Sequence, residues 1–260
     1  MDVMNWVAIV GAAAWTPQII TWLYRFFTKP KITLYLHSIP QIGYTGLGPI
    51  FNVDFALMSE KKAITLNNFS VNIKHENGAS YIFDWDGLSE SLSEIESPSE
   101  FTSVKKTYLP LVIRVVNSGV AQAFVRFQYE PFKKKFREAL QNASNEFQRF
   151  SDAGKIKTEQ DIEGLTTNKE ISKLISLIDS EFIWVVGKYT VTFNFQSPSK
   201  FDYTRDKYTF SLSQEDIKEL RKNIDNVKLN ITQHAKAMSL KDFKPKEISW
   251  IWRLPELRKM

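Results

Sequence analysis

Three glycines within six residues could cradle a phosphate. In the stretch QIGYTGLGPIFN, Gln41 to Asn52, they are Gly43, Gly46 and Gly48, with Pro49 directly after. Backbone without side chains lets N–H groups converge on an anion, but a phosphate site also needs a helix N-terminus behind the loop. Here the glycine order is not that of a dinucleotide fingerprint and an alternating strand pattern follows, so the cluster reads as a turn that starts a strand. No cofactor is expected there, and Tyr44, Thr45 and Leu47, set between the glycines, become candidate partner-binding residues.

Other chemistry is sparse. The chain has no cysteine, which excludes disulfides, thiolate zinc sites, iron–sulfur clusters and a cysteine nucleophile. His37, His75 and His234 show no His-x-His or His-Glu-x-x-His spacing, so no metal site is expected from them. Asp84-Trp85-Asp86-Gly87 opens like a calcium loop, but Leu88, Ser89 and Glu90 follow without an Asp or Asn at the next ligand position. Ser118 belongs to a turn, not to a nucleophile elbow. Glu94 and Glu96 lie in an acidic, serine-rich run from Asp84 to Glu100 that holds six acids and no base and reads as a solvated connection with room for a short helix. No catalytic residue, metal or cofactor is assigned.

Two basic, aromatic stretches suit interfaces. PFKKKFREAL sets Lys133, Lys134, Lys135 and Arg137 beside Phe132 and Phe136, either a solvated face over buried phenylalanines or a surface for anionic lipid. Nucleic acid is a weaker use, since no reading motif accompanies the bases. ISWIWRLPELRKM, at the end, alternates Ile248, Trp250, Trp252 and Leu254; it is either a final strand or a partner contact. The formal charge of +5 comes largely from this tail, where Ala235 to Met260 hold seven bases and three acids.

From Trp6 to Tyr24, WVAIVGAAAWTPQIITWLY runs nineteen residues without a charge, long enough as a helix to span a bilayer. Trp6, Trp22 and Tyr24 fit aromatic belts, and Arg25, Lys29 and Lys31 follow at once, which puts the N-terminus outside and the body in the cytoplasm. The rivals are a signal peptide, which the acidic N-terminus disfavours, and a buried or interfacial helix, which Thr16, Pro17, Gln18 and Thr21 favour. Ala8 and Ala12 form a small-xxx-small pair through which such anchors could pair into homo-oligomers.

After Pro30 the hydrophobic period becomes two. KITLYLHS, IFNVDFALM, NFSVNIK, YIFDW, LVIRVV, VAQAFVRFQYE, GKYTVTFNFQ and DKYTFSLS all alternate, with Asn77-Gly78 as a hairpin turn. Helices are expected from Pro131, with Phe132, Phe136, Leu140, Ala143 and Phe147 on one face, and from about Thr167, with Thr167 and Glu170 as a capping box. A last helix starts at Ser213 and Asp216, with Ile217, Leu220, Ile224, Val227 and Ile231 on one stripe.

Short alternating strands separated by turns predict a mainly β chain with α additions: an antiparallel β-sandwich with inserted and C-terminal helices, preceded by one transmembrane helix. The hairpin LVIRVVNSGVAQAFVRF resembles that of immunoglobulin-like adhesion and CARDB-type modules, and GKYTVTFNF is similar to a penultimate strand of such sandwiches. The resemblance covers about half the chain, and the helices from Pro131 to about Ser180 depart from it as an insertion. Taken together, the expected organisation is an anchor at 1–29, a sandwich at 30–212 with a helical insertion at about 131–180, and a C-terminal helix with a basic aromatic tail at 213–260. If the first strand leaves the membrane directly, strand parity puts the loops at Pro40–Pro49, Glu76–Gly78 and Asn117–Gly119 at the distal end, and Lys61-Lys62 with FKKKFR at the near end.

The function expected from these features is a non-enzymatic, single-pass module of the cell membrane, anchored in the bilayer through residues 6–24, that presents a cytoplasmic sandwich to a protein partner. A bacterial effector or sensor subunit, with a role in defence, follows by association only. The alternatives are an envelope-facing adhesion or assembly module and an enzyme or enzyme accessory with a scattered site.

Overall fold

The computed structural model describes the backbone of residues 3–97, 100–108, 111–240 and 243–260, and their side chains except at 3–13, 25, 88–97, 100–108 and 166. In chain order the elements are helix α1 (Val3–Phe27), strands β1 (Lys31–Leu36), β2 (Gln41–Thr45), β3 (Gly48–Glu60), β4 (Ile64–His75), β5 (Ser80–Ser97), β6 (Glu100–Tyr108), β7 (Ile113–Val115) and β8 (Val120–Gln128). Helices α2 (Glu130–Asp152), α3 (Glu159–Gly164) and α4 (Lys169–Ser180) follow, then β9 (Gly187–Gln196), β10 (Asp202–Tyr203), β11 (Lys207–Leu212), α5 (Gln214–Ser239) and β12 (Arg258–Lys259).

The strands form one sheet, not two stacked sheets. Its order is β10-β1-β3-β8-β5-β4-β9-β11-β12, with β2 added to β3, β6 to β5 and β7 to β4. It is mixed, because β1 and β10 run parallel while the other paired strands run antiparallel. The sheet curls into a half-barrel: Phe51 on β3 and Phe210 on β11 have four strands between them in the sheet, yet their rings lie 6.2 Å apart. Period two explains the filling. Phe51, Phe69, Phe127 and Phe193 all point to the concave side, where Phe69 contacts Phe127 at 5.2 Å and Phe193 at 6.1 Å. The immunoglobulin-like sandwich is therefore replaced by a curled mixed sheet. Local alternation looks the same in both, because it reports one buried face and not what covers it.

The expected anchor is also corrected. Among the described residues no helix is long and apolar enough to cross a membrane. Between Ala14 and Tyr24 the polar residues Thr16, Gln18 and Thr21 interrupt the apolar surface, and Thr21 Oγ1 donates to the Pro17 carbonyl at 2.7 Å within the helix. The single-pass, N-out assignment and the localisation at the cell membrane fall with it. Of the residues assigned to a bilayer interface, Trp22 and Tyr24 are exposed, Lys29 is exposed, and Lys31 begins β1 beside Glu60 at 3.4 Å. The side chains of Trp6 and Arg25 lie outside the described residues.

Three local expectations change as well. Within the acidic run the described residues are strand, β5 continuing to Ser97 and β6 returning from Glu100 in antiparallel register. The N-cap of α4 is Asn168, whose side chain accepts from Glu170 N, while the capping boxes sit at Thr158/Asp161 and Ser213/Asp216. Strand parity fails too. Asn117 bridges Ser59, beside Lys61-Lys62, whereas the start of α2 packs on the β2–β3 turn, with the Phe132 ring against Gly48.

Candidate binding cavity

The glycine stretch is a hairpin. β2 and β3 pair from Gln41–Asn52 to Thr45–Gly48, leaving Gly46 and Leu47 as a two-residue turn. Gly48 has φ +82°, and a Cβ there would meet the Phe132 ring at 2.2 Å. Gly43 serves close approach instead: a Cβ would lie 2.4 Å from the Trp252 ring. Tyr44 is fully buried, its hydroxyl donating to the Ile178 carbonyl at 2.7 Å, and Trp184 Nε1 donates to the Gly43 carbonyl at 2.9 Å. Burial, with Glu181 and Asp179 nearby, pushes the Tyr44 phenol well above its ordinary range. Tyr44 thus fixes the hairpin to the helical layer and is not offered to a partner.

Beside this hairpin lies a cavity of about 790 Å³. Its floor is the convex face of β3 and β8, where Ile50 and Asn52 stand opposite Gln128 and Arg126 in register. One wall is a face of α2 carrying Phe136, Leu140, Ser144 and Phe147; another is a face of α5 carrying Val227, Ile231, His234 and Met238. The turn residues Gly46 and Leu47, with Trp250 and Trp252, complete the lining.

The two tryptophans arrive on an irregular strap rather than on a final strand, since strand structure returns only at β12. Side-chain amides of α5 hold that strap. Asn223, fully buried, donates to the Ile251 carbonyl at 2.6 Å and accepts from its N–H at 2.9 Å, and Asn226 donates to the Ser249 carbonyl at 2.9 Å. Gln233 accepts from Lys246 N. Farther on, Arg253 and Ile42 exchange two backbone hydrogen bonds, at 2.8 and 2.9 Å.

The polar part of the cavity is concentrated at one end. Asp86 accepts from Arg126 Nη2 at 2.9 Å and from Lys133 Nζ at 2.6 Å. Burial raises the affinity of this carboxyl for a proton, but the hydrogen bond and charge of Lys133, with Arg126 behind, outweigh it and hold Asp86 below the usual aspartate range. Asp86 is thus an ion-pair hub within the Asp84–Gly87 segment. Asn52 and Gln128 are 4% and 2% exposed, yet Asn52 Oδ1 and Gln128 Oε1 have no hydrogen-bond partner. Gln128 Nε2 donates to the Leu47 carbonyl, which fixes Oε1 as the free acceptor.

No family model matches the chain, and no curated protein matches it. One similar solved structure is a family 123 glycoside hydrolase from Clostridium perfringens, described for glycolipid glycan hydrolysis, at TM-score 0.28 and 8% identity. It covers 67% of this chain, which spans 26% of that one. So low a likeness says nothing of activity.

Of the residues singled out in the sequence, Thr45, Leu47, Lys133, Arg137, Trp250 and Trp252 come together around this cavity. Lys134 is exposed away from it, and Lys135 pairs with Glu181 at 2.5 Å. Sequence reasoning missed Asn52, Arg126, Gln128 and Asn223, and weighed Asp86 only as a metal ligand. On the strands their signal was a polar residue at alternate positions, which reads as a solvated face until helices are known to cover it, whereas Asn223 is a polar exception in the apolar stripe of α5.

Proposed function

We propose that this chain is a non-enzymatic binding module whose ligand site is the cavity between the β3–β8 face, α2 and α5. One observation carries the reading: Asn52 and Gln128, floor residues of a largely apolar cavity, each keep an unpartnered oxygen that is closed to solvent. A buried acceptor left unmade costs about 1–3 kcal/mol, so two together on one cavity floor indicate a group that arrives from outside. The size suits a small molecule, since such sites are about 300–1,000 Å³ and mostly apolar with a few placed polar groups. The amides and cations at its polar end are groups that hold a ligand. A protein partner through an exposed Tyr44 loop loses its basis, because Tyr44 is interior.

The test uses a neutral apolar dye, N-phenyl-1-naphthylamine, whose emission rises on transfer out of water. One dye per chain is expected, with quenching of tryptophan emission through Trp250 and Trp252. Ser144→Trp, which projects an indole into the cavity from a half-buried helix position, should abolish dye binding while leaving the melting temperature within a few degrees. Equal dye binding by Ser144→Trp and wild type would refute this site.

A further inference from the structure

The cavity is electrically one-sided. Arg126, Lys133 and Arg137 line it, and no carboxylate does among the described residues. Asp86 stands behind the first two and cancels one charge, which leaves an excess of two positive charges at this end. Glu130 approaches Lys133 only to 3.9 Å and is more than half exposed, so solvent screens it. The α5 wall adds His234 and Asn230 and no acid. Asp86 also fixes two of the cations, which lowers the ordering cost when an anion meets them. Arg137, exposed at the rim, makes no ion pair among the described residues.

The rest of the site runs away from these charges. Along α2, Lys133 is followed on the same face by Phe136, Leu140, Ser144 and Phe147, a path of about 21 Å at 1.5 Å per residue. Val227, Ile231 and Met238 of α5 face it, and Trp250 borders it. The site therefore has a cationic end and a long apolar end. Beside the cations a floor residue holds an unpartnered acceptor of fixed sense, closed to solvent: Gln128 Oε1, two residues along β8 from Arg126 and on the same face. An anion alone does not satisfy an acceptor; an N–H or O–H next to the anion does.

Resting on the binding function proposed above, we infer that the ligand is a single-chain amphiphilic anion: an aliphatic tail between α2 and α5, a carboxylate at Arg126, Lys133 and Arg137, and an adjacent amide N–H or hydroxyl donating to Gln128 Oε1 as that side chain shifts to meet it. N-acyl amino acids and hydroxylated fatty acids have this pattern. No covalent step is involved.

Isothermal titration with N-decanoylglycine, decanoate, decanol and decyltrimethylammonium, all below their micellar concentrations, separates the parts. N-decanoylglycine should bind tightest, decanoate next, and decanol at least about tenfold more weakly than decanoate, as charge-assisted hydrogen bonds predict. The cation should bind weakest. Each added methylene should raise affinity about fourfold until the trough is full. Arg137→Gln, an exposed change that folding should tolerate, should weaken decanoate and leave decanol unchanged. Equal affinity for decanoate and decanol would overturn the anionic head while leaving the cavity as a binding site. N-decanoylglycine no tighter than decanoate would overturn the donor assigned to Gln128. Failure of all four probes, together with failure of the neutral dye, would overturn the binding function itself.

Discussion

Asn223→Ala should release the strap. Asn223 is fully buried and spans both backbone groups of Ile251, at 2.6 and 2.9 Å, as a neighbouring strand would. Removing it deletes two hydrogen bonds worth about 0.5–1.5 kcal/mol each and leaves two half-buried backbone groups without partners, so a strap that stayed docked would cost about 2–4 kcal/mol. A strap that peels away escapes part of that cost, but it gives up the half-buried Trp250 and Trp252, while Arg253–Ile42 and the Leu257 bond to Ser38 hold its far end. The balance is about 2 kcal/mol, or a fall in Tm of roughly 4–8 °C for a chain of this size. Hydrogen exchange at Ile251 should lose its protection, while Arg253 keeps its own. Asn223→Asp keeps the acceptor for Ile251 N–H but sets a carboxylate against the Ile251 carbonyl, so it should be at least as damaging as alanine. A Tm change under about 2 °C for Asn223→Ala, with Ile251 exchange unaltered, would show that the amide does not hold the strap.

The elements were largely legible in the sequence, but their assembly was not. Alternation at Phe51, Val53 and Phe55, or at Val125 and Phe127, identifies a strand with one buried face, and Ser213 with Asp216 marks the start of α5, because both signals are local. Whether the strands divide into two sheets or curl as one depends on pairings such as β5 with β8, thirty or more residues apart, which no local pattern encodes. The same gap hid the cavity. Asn52 and Arg126 alternate with phenylalanines and valines as solvent-facing residues would, and only the helices packed over them turn that face into a floor. Asn223 shows the converse. It lies among the apolar stripe of α5 as a polar exception, and its partner is a tail whose irregular path has no period to read. The glycines of the hairpin could be recognised as turn formers, but their second role, making room for Phe132 and Trp252, depends on residues far along the chain.

Three other substitutions probe the same frame. Gly48→Ala forces a side chain onto φ +82° and into the Phe132 ring, so denaturant unfolding should show a loss of about 2–4 kcal/mol. In the Phe132→Ala background the loss should be clearly smaller; full additivity would mean the ring is not the obstacle. Asp86→Asn should alter the acid limb of stability. Because the folded carboxyl is held below its ordinary value of 3.8, its contribution is present above that pH and lost as pH falls through the lowered value. The stability gap between wild type and Asp86→Asn should therefore be widest near neutrality and close toward pH 3, and a gap constant from pH 7 to 3 would exclude the ion-pair hub. Asn52→Leu should raise stability. Its only side-chain hydrogen bond among the described residues, to Gln41 Oε1, is 3.5 Å long, and its Oδ1 is buried without a partner, so an apolar side chain of similar volume removes a cost of about 1–3 kcal/mol and adds apolar burial. A gain of about 1–2 kcal/mol would raise Tm by roughly 2–8 °C. The same change should weaken amphiphiles that carry an N–H or O–H beside the anion, since it takes an acceptor from the floor beside Arg126. Stability gained with binding lost is the signature of a polar group kept for a ligand; stability lost on Asn52→Leu would mean that Asn52 supports the fold and that its oxygen is satisfied within it.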